Sequence, residues 1–166
     1  CTALCAVFGI KSFAVAYWQQ EVHYTINVSL DDEHNMLNGN LTLRYVNHSP
    51  DELNMIWFHL WPNGYKDRNT ALCQQELNQG NSALYFTEDK DRGYIDSLNF
   101  QVNAKSAQIE FDGINNDYCK LILNEPLCPG QRAVITTPFK VKIPNGKQGL
   151  RIKQLHELAC CFHWWT

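Results

Sequence analysis

The sequence predicts an all-β fold: an antiparallel β-sandwich or saddle of about seven strands with one short surface helix. Three observations lead there. Apolar and polar residues alternate with a period of two along several segments, which buries one face of a strand and wets the other. Polar turns rich in Asn, Asp, Gly and Pro separate those segments. A single stretch, Asn69 to Gln79, carries helix signals.

The strands follow in order. Val22, Tyr24, Ile26, Val28 and Leu30 alternate with His23, Thr25, Asn27 and Ser29, so one face of this strand is expected to be buried. Asp31 to Asn35 is a polar turn, and Leu41, Leu43 and Tyr45 then alternate with Asn40, Thr42 and Arg44. The two read as an antiparallel hairpin with a longer loop. Met55 to Trp61 is apolar on both faces, as expected for a strand in the middle of a packed structure, and Pro62-Asn63-Gly64 stops it. The helix is expected to be capped by Asn69 and ended by Gly80, with Thr87 to Arg92 a charged loop after it. Leu98, Phe100 and Val102, then Ala107, Ile109 and Phe111, form two more alternating strands. Leu121 to Leu123 is a short core strand, and Pro126 to Gly130 a turn. Ala133 to Ile143 closes the series, with Pro138 predicting an edge or a bulge.

Composition bounds the function. The chain has 166 residues, 45% hydrophobic and 19% charged, which is one globular domain with short additions. The formal net charge of −3 offers no basic excess for phosphate-driven binding, so nucleic acid is not an expected partner. Residues 1–16 hold an apolar run, Cys1 to Ile10, followed by Ala14-Val15-Ala16. A run this short is no membrane span; with a small-x-small site behind it, it reads as an incomplete secretory signal peptide cleaved after Ala16. The chain then divides into signal (1–16), β-domain (17–147) and an atypical Cys- and Trp-rich tail (148–166). Export to a periplasmic or extracellular space permits disulfides. Cys119 and Cys128 flank a strand and a turn, and either pair or remain two separate buried thiols.

Few residues suggest chemistry. His156-Glu157-Leu158-Ala159-Cys160, with His163 one turn on, nearly spells a zinc-binding helix but has Cys where the second His belongs. Asp89-x-Asp91-x-Gly93 lacks the remaining ligands of a calcium loop and reads as a solvated turn. His59, on an apolar strand, reads as a core histidine. Trp57 and Trp61 suit sugar stacking if exposed, and core packing otherwise. Asn27-Val28-Ser29, Asn40-Leu41-Thr42 and Asn47-His48-Ser49 match the glycosylation acceptor pattern. No catalytic, cofactor or metal residue is assigned from these patterns.

Several stretches together carry a resemblance. Tyr24 to Asp31, Leu37-Asn38-Gly39, Tyr45-Val46-Asn47-His48-Ser49, Phe58-His59-Leu60-Trp61-Pro62-Asn63, Asp91-Arg92-Gly93-Tyr94-Ile95-Asp96 and Phe139-x-Val141-x-Ile143-Pro144 occur in this order. They resemble the N-terminal domain of the aminopeptidase N family of zinc metallopeptidases, especially its exported bacterial branch, over roughly Trp18 to Lys147. The resemblance implies a β-sandwich or saddle that packs on, and caps, a thermolysin-like catalytic domain. It implies zinc in the parent enzyme, peptides as that enzyme's substrates, and no cofactor or activity in this chain alone. The family's zinc motif and its G-x-M-E-N loop do not occur in these residues. The alternative is a stand-alone exported β-sandwich module that binds glycan or protein.

Overall fold

The structure is a computed structural model that describes residues 18–113 and 115–145. The described residues contain nine strands and one α-helix: β1 (Glu21–Asp31), β2 (Met36–Val46), β3 (Leu53–His59), α1 (Ala71–Asn78), β4 (Tyr94–Asp96), β5 (Gln101–Val102), β6 (Lys105–Ser106), β7 (Ile109–Phe111), β8 (Tyr118–Leu127) and β9 (Arg132–Lys142). They form two antiparallel sheets. The larger runs β1-β2-β9-β5-β6, with β4 also paired to β9; the smaller runs β3-β8-β7. The expected all-β sandwich is thus the observed one.

One core lies between the sheets. The larger sheet supplies Leu41, Leu43 and Tyr45 from β2 and Ala133, Ile135, Phe139 and Val141 from β9. The smaller supplies Ile56 and Phe58 from β3 and Cys119, Leu121 and Leu123 from β8, with Phe100 between. Phe58 and Phe100 meet in a tilted ring contact with centroids 5.0 Å apart. The period-two patterning places all of these on inner faces, which is why the alternation in the sequence works as a fold signal.

β1 and β2 pair without a bulge from Glu21↔Val46 to Asp31↔Met36. Their turn is closed by Asp31 Oδ1, which accepts from His34 N at 3.1 Å, and by Asn35 in the left-handed region at φ 52°. Lys142 Nζ donates to His34 O at 2.7 Å, tying the turn to the end of β9.

Pro138 sits inside β9, a central strand, opposite Asn40 of β2. On the other side of β9, β5 pairs only at Ile135 and Thr136 and β4 only at Lys140 to Lys142. Pro138 therefore falls in the gap between two short partners, a local edge where no ladder donor is needed. Thr137 Oγ1 bridges the gap by accepting from Asn99 N at 2.9 Å.

Four expectations change. The strand expected at Met55 to Trp61 lies at Leu53–His59 and is an edge of the small sheet; on its outer face Met55 is exposed and Trp57 half-buried, and only His59 is buried. Two-sided hydrophobicity gave the wrong location because Trp61 leaves the strand to start a 3-10 turn, Trp61–Tyr65, with Pro62 in its first positions. The helix begins later, at Ala71, because Thr70 rather than Asn69 is the cap: its Oγ1 accepts from Cys73 N at 3.3 Å. Cys119 and Cys128 are both free, the first buried in β8 and the second exposed, so they are neither a disulfide nor two buried thiols. The fourth change concerns β1.

Candidate functional site

The apolar row of β1 is on the core-facing side of its sheet yet largely uncovered. Antiparallel pairing puts Tyr24 beside Leu43, Ile26 beside Leu41, Val28 beside Gly39 and Leu30 beside Leu37. Leu41 and Leu43 are buried under the small sheet. Tyr24 is 41% exposed, Ile26 40%, Val28 54% and Leu30 62%. Val22, at the start of the row, is partly buried and packs against the core. The three-stranded sheet is narrower than the sheet it faces, and β1 runs past its margin. The expectation that this strand buries its apolar face is thereby overturned.

A shallow depression of about 470 Å³ crosses β1, β2 and β9 at Val28, Gly39 and Phe139, lined mostly by residues of the polar rows, among them Asn27, Ser29, Asn38, Asn40 and Lys140. Gly39 is required here. A Cβ at this position would run into the Phe139 ring, and would lie 2.8 Å from the carbonyl oxygen of Asn27. The bare glycine leaves the space that the Phe139 ring occupies on the core side of the sheet. The lining of the depression is three amides, two hydroxyls, one ammonium and the apolar Val28, Pro138 and Phe139, a chemistry suited to contact.

Both ends of β1 are acidic and both carry histidine. Glu21 Oε1 lies 2.9 Å from His23 Nε2 and its Oε2 3.2 Å from His48 Nε2. The hydrogen bonds from His23 and then His48 hold the Glu21 carboxyl below its ordinary range. Asp31 is lowered too, first by the backbone N–H of His34 and then by its ring. These groups are at the surface, so their contribution to stability is slight.

The aromatic residues of the sequence reading form a separate cluster. His59 is buried, with Nε2 3.1 Å from Asp117 Oδ2. Its ring packs on Trp61 at 3.9 Å between centroids and stacks on Tyr118 at 4.2 Å. Trp57 is half-buried on the outer face of the small sheet, where the ammonium of its cross-strand partner Lys120 sits 4.8 Å from the ring centroid. Each indole has one face engaged: Trp61 by the His59 imidazole and Trp57 by the Lys120 ammonium.

The remaining motifs separate as follows. Asp89 and Asp91 lie in a 3-10 turn, Asp89–Asp91, and Asp89 Oδ1 accepts from Arg92 Nε at 3.3 Å. Among the described residues no group of three or more His, Cys, Asp or Glu side chains is placed to hold a metal. His156, Glu157, Cys160 and His163, like the signal segment, lie outside the described residues. Asn27 and Asn40 are exposed, but Asn47 is fully buried and is no glycan acceptor in the folded chain. No helix among the described residues is long and apolar enough to cross a membrane.

Three polar nodes were not singled out from the sequence. Asn47 Nδ2 donates to Asp51 O and to Leu127 O, each at 2.8 Å, while its Oδ1 accepts from Ser49 N and Oγ. Asn63 Oδ1 accepts from Ile95 N at 3.1 Å and its Nδ2 donates to Asn116 O at 3.0 Å. Arg92 is buried and donates from Nη2 to Tyr85 O at 3.3 Å. The signal for them was present: a polar residue inside an apolar stretch, as in Tyr45-Val46-Asn47, is buried only when hydrogen-bonded.

Fold and surface define a small antiparallel β-sandwich whose larger sheet carries an uncovered apolar margin. No protein-family profile matches the chain, and no curated protein matches its sequence.

Proposed function

We propose that the chain is the N-terminal β-sandwich domain of an exported zinc-dependent aminopeptidase, built to pack on and cap a catalytic domain that these residues do not include. The reading rests on the resemblance set out above. One observation favours it: the stretches that carry the resemblance are packed on one another. Asn63 of the Phe58-to-Asn63 stretch holds Ile95 of the Asp91-to-Asp96 stretch. A Cβ on Gly93 of the latter would lie 2.7 Å from Pro144 Cδ, so Gly93 and Pro144 fit only because the first lacks a side chain. Asn145 N donates to Asp91 O at 3.0 Å beside them. Tyr45, Asn47 and Ser49 of the third stretch are all buried. Residues so spaced in sequence and so joined in space are the framework of one domain.

The uncovered margin of β1 supplies the face for the catalytic domain. Burying Ile26, Val28 and Leu30 there would remove apolar surface from water at about 25 cal/mol per Å². In this reading the chain contributes contact and cleft shape; zinc and the water it activates belong to the missing domain. The alternative, a free-standing glycan module using Trp57 and Trp61, is less favoured because Lys120 and His59 each occupy one of the ring faces a sugar would stack on.

The test is the nucleotide sequence downstream of codon 147, read in all three frames. An H-E-x-x-H segment with a G-x-M-E-N loop ahead of it is the expected result. Their absence over a domain-length stretch overturns the proposal. Amino-acyl anilide turnover by this chain with added zinc would overturn its assignment as inactive alone.

A further inference from the structure

We propose that β1 is a self-association edge, along which two copies of this chain join their larger sheets by antiparallel pairing of β1 with β1. The proposal does not need the aminopeptidase reading and concerns the chain by itself, since the catalytic domain of that reading would take the same margin.

The sheet margins are finished in different ways. A strand at a sheet edge displays unpaired backbone donors and acceptors, and proteins blunt such edges with short strands, charges, proline or bulges. β6, at the far end of the larger sheet, is two residues long and begins with Lys105. β7, at one edge of the smaller sheet, is three residues long with Glu110 at its centre. β3, at the other edge, is broken by a register shift between Leu53 and Met55. β1 has none of these devices. It is 11 residues long and pairs with β2 in unbroken register. From Val22 to Leu30 it contains no Lys, Arg, Asp, Glu or Pro.

A second copy is the occupant because β1 is complementary to itself. Pairing about a two-fold axis at Ile26 sets Ile26 against its own copy, Tyr24 against Val28 and Val22 against Leu30. The half-uncovered apolar row of each protomer would extend the other's. The opposite face then matches His23 with Ser29 and Thr25 with Asn27, polar groups with no like charges opposed. The one acidic juxtaposition, Glu21 with Asp31, falls at the two ends. There each carboxylate already holds a histidine of its own, His23 and His48 on the first and His34 on the second. An isologous contact of this kind closes on itself and produces a dimer.

The 166-residue chain is examined by sedimentation equilibrium from low micromolar to submillimolar concentration. A monomer–dimer equilibrium is expected. Ile26→Lys places two ammonium groups face to face on the axis and should raise the dissociation constant about tenfold or more. Thr25→Lys combined with Asn27→Lys sets like charges across the exposed face without touching the core, and should do the same while leaving the circular dichroism spectrum unchanged. In a Cys128→Ser background, Ile26→Cys should form an intermolecular disulfide between the two copies of position 26, identified by peptide mapping. Tyr24→Cys, which the register sets against Val28, should not cross-link to itself. A chain that stays monomeric throughout, or a dimer that survives both lysine variants, overturns the proposal.

Discussion

The side-chain amide of Asn47 donates to the carbonyl of Leu127, 80 residues further along the chain, at 2.8 Å. This bond joins the end of β2 in the larger sheet to the end of β8 in the smaller. The same Nδ2 also donates to Asp51 O, and the backbone of Asn47 is bonded to the turn before β9: its N donates to Gln131 O at 3.0 Å and its O accepts from Gly130 N at 2.6 Å. Asn47 is therefore a clamp between sheets. Replacing it with Ala removes the side-chain partner of the buried Leu127 carbonyl and of the Ser49 N–H. Each such loss costs about 1–3 kcal/mol, so Asn47→Ala should destabilise the chain by about 3 kcal/mol in urea unfolding. A loss below about 1 kcal/mol would contradict the clamp.

Gly39 and Phe139 make a second test. They are cross-strand partners, and the ring lies where a side chain on residue 39 would go. Gly39→Ala should cost about 1–3 kcal/mol by forcing the ring and the Asn27 carbonyl apart. In a Phe139→Leu background the same change should cost less, since one of the two obstructions is smaller. A double-mutant cycle with coupling under about 0.3 kcal/mol would show that the ring does not rest on Gly39.

Much of this architecture was legible from period-two patterning. The β1–β2 hairpin, the inward row of β9 and the closing position of Pro138 all follow from which residues alternate and which lack a donor. What the pattern could not reveal is what lies opposite a face. Tyr24, Ile26, Val28 and Leu30 alternate as cleanly as Leu41 and Leu43, yet only the latter are covered. Coverage depends on the width of the small sheet, and that is set by the long-range pairing of β3, β8 and β7. The helix start was displaced for a local reason: Asn69 and Thr70 are both able to cap, and only the Thr70 hydroxyl reaches Cys73 N. Asn47 and Asn63 were overlooked as nodes because their partners lie far off in sequence.

The thiols give a prediction in alkaline solution. Burial pushes the Cys119 thiol up from 9.0 to about 12 and raises Cys73 as well. The unfolded chain loses the Cys119 proton near pH 9 while the folded chain keeps it. The associated stability is thus fully present below pH 9 and is lost as pH rises toward 12. Over that window a single group contributes a slope of at most about 1.4 kcal/mol per pH unit. Cys119→Ala should be less stable at neutral pH because of the cavity, yet lose less on going alkaline. Iodoacetamide at neutral pH should label exposed Cys128 in the native chain and spare Cys73 and Cys119, read by peptide mapping. Rapid native labelling of Cys119 would contradict its burial.

The last prediction concerns the uncovered row itself. Val28 and Leu30 are 54% and 62% exposed, so Val28→Ser and Leu30→Ser remove surface that is already wet. Each should change unfolding stability by no more than about 0.5 kcal/mol. Together they should reduce the fluorescence of a hydrophobic dye bound to the native chain, because they break up its exposed apolar patch. Leu43→Ser is the matched control: it lies on the same sheet face but is fully buried, and should cost about 3 kcal/mol or more through cavity and unpaired hydroxyl. If, at concentrations where the chain is monomeric, Val28→Ser cost as much as Leu43→Ser, the row would be covered by the chain itself, and its role as a docking face would fall.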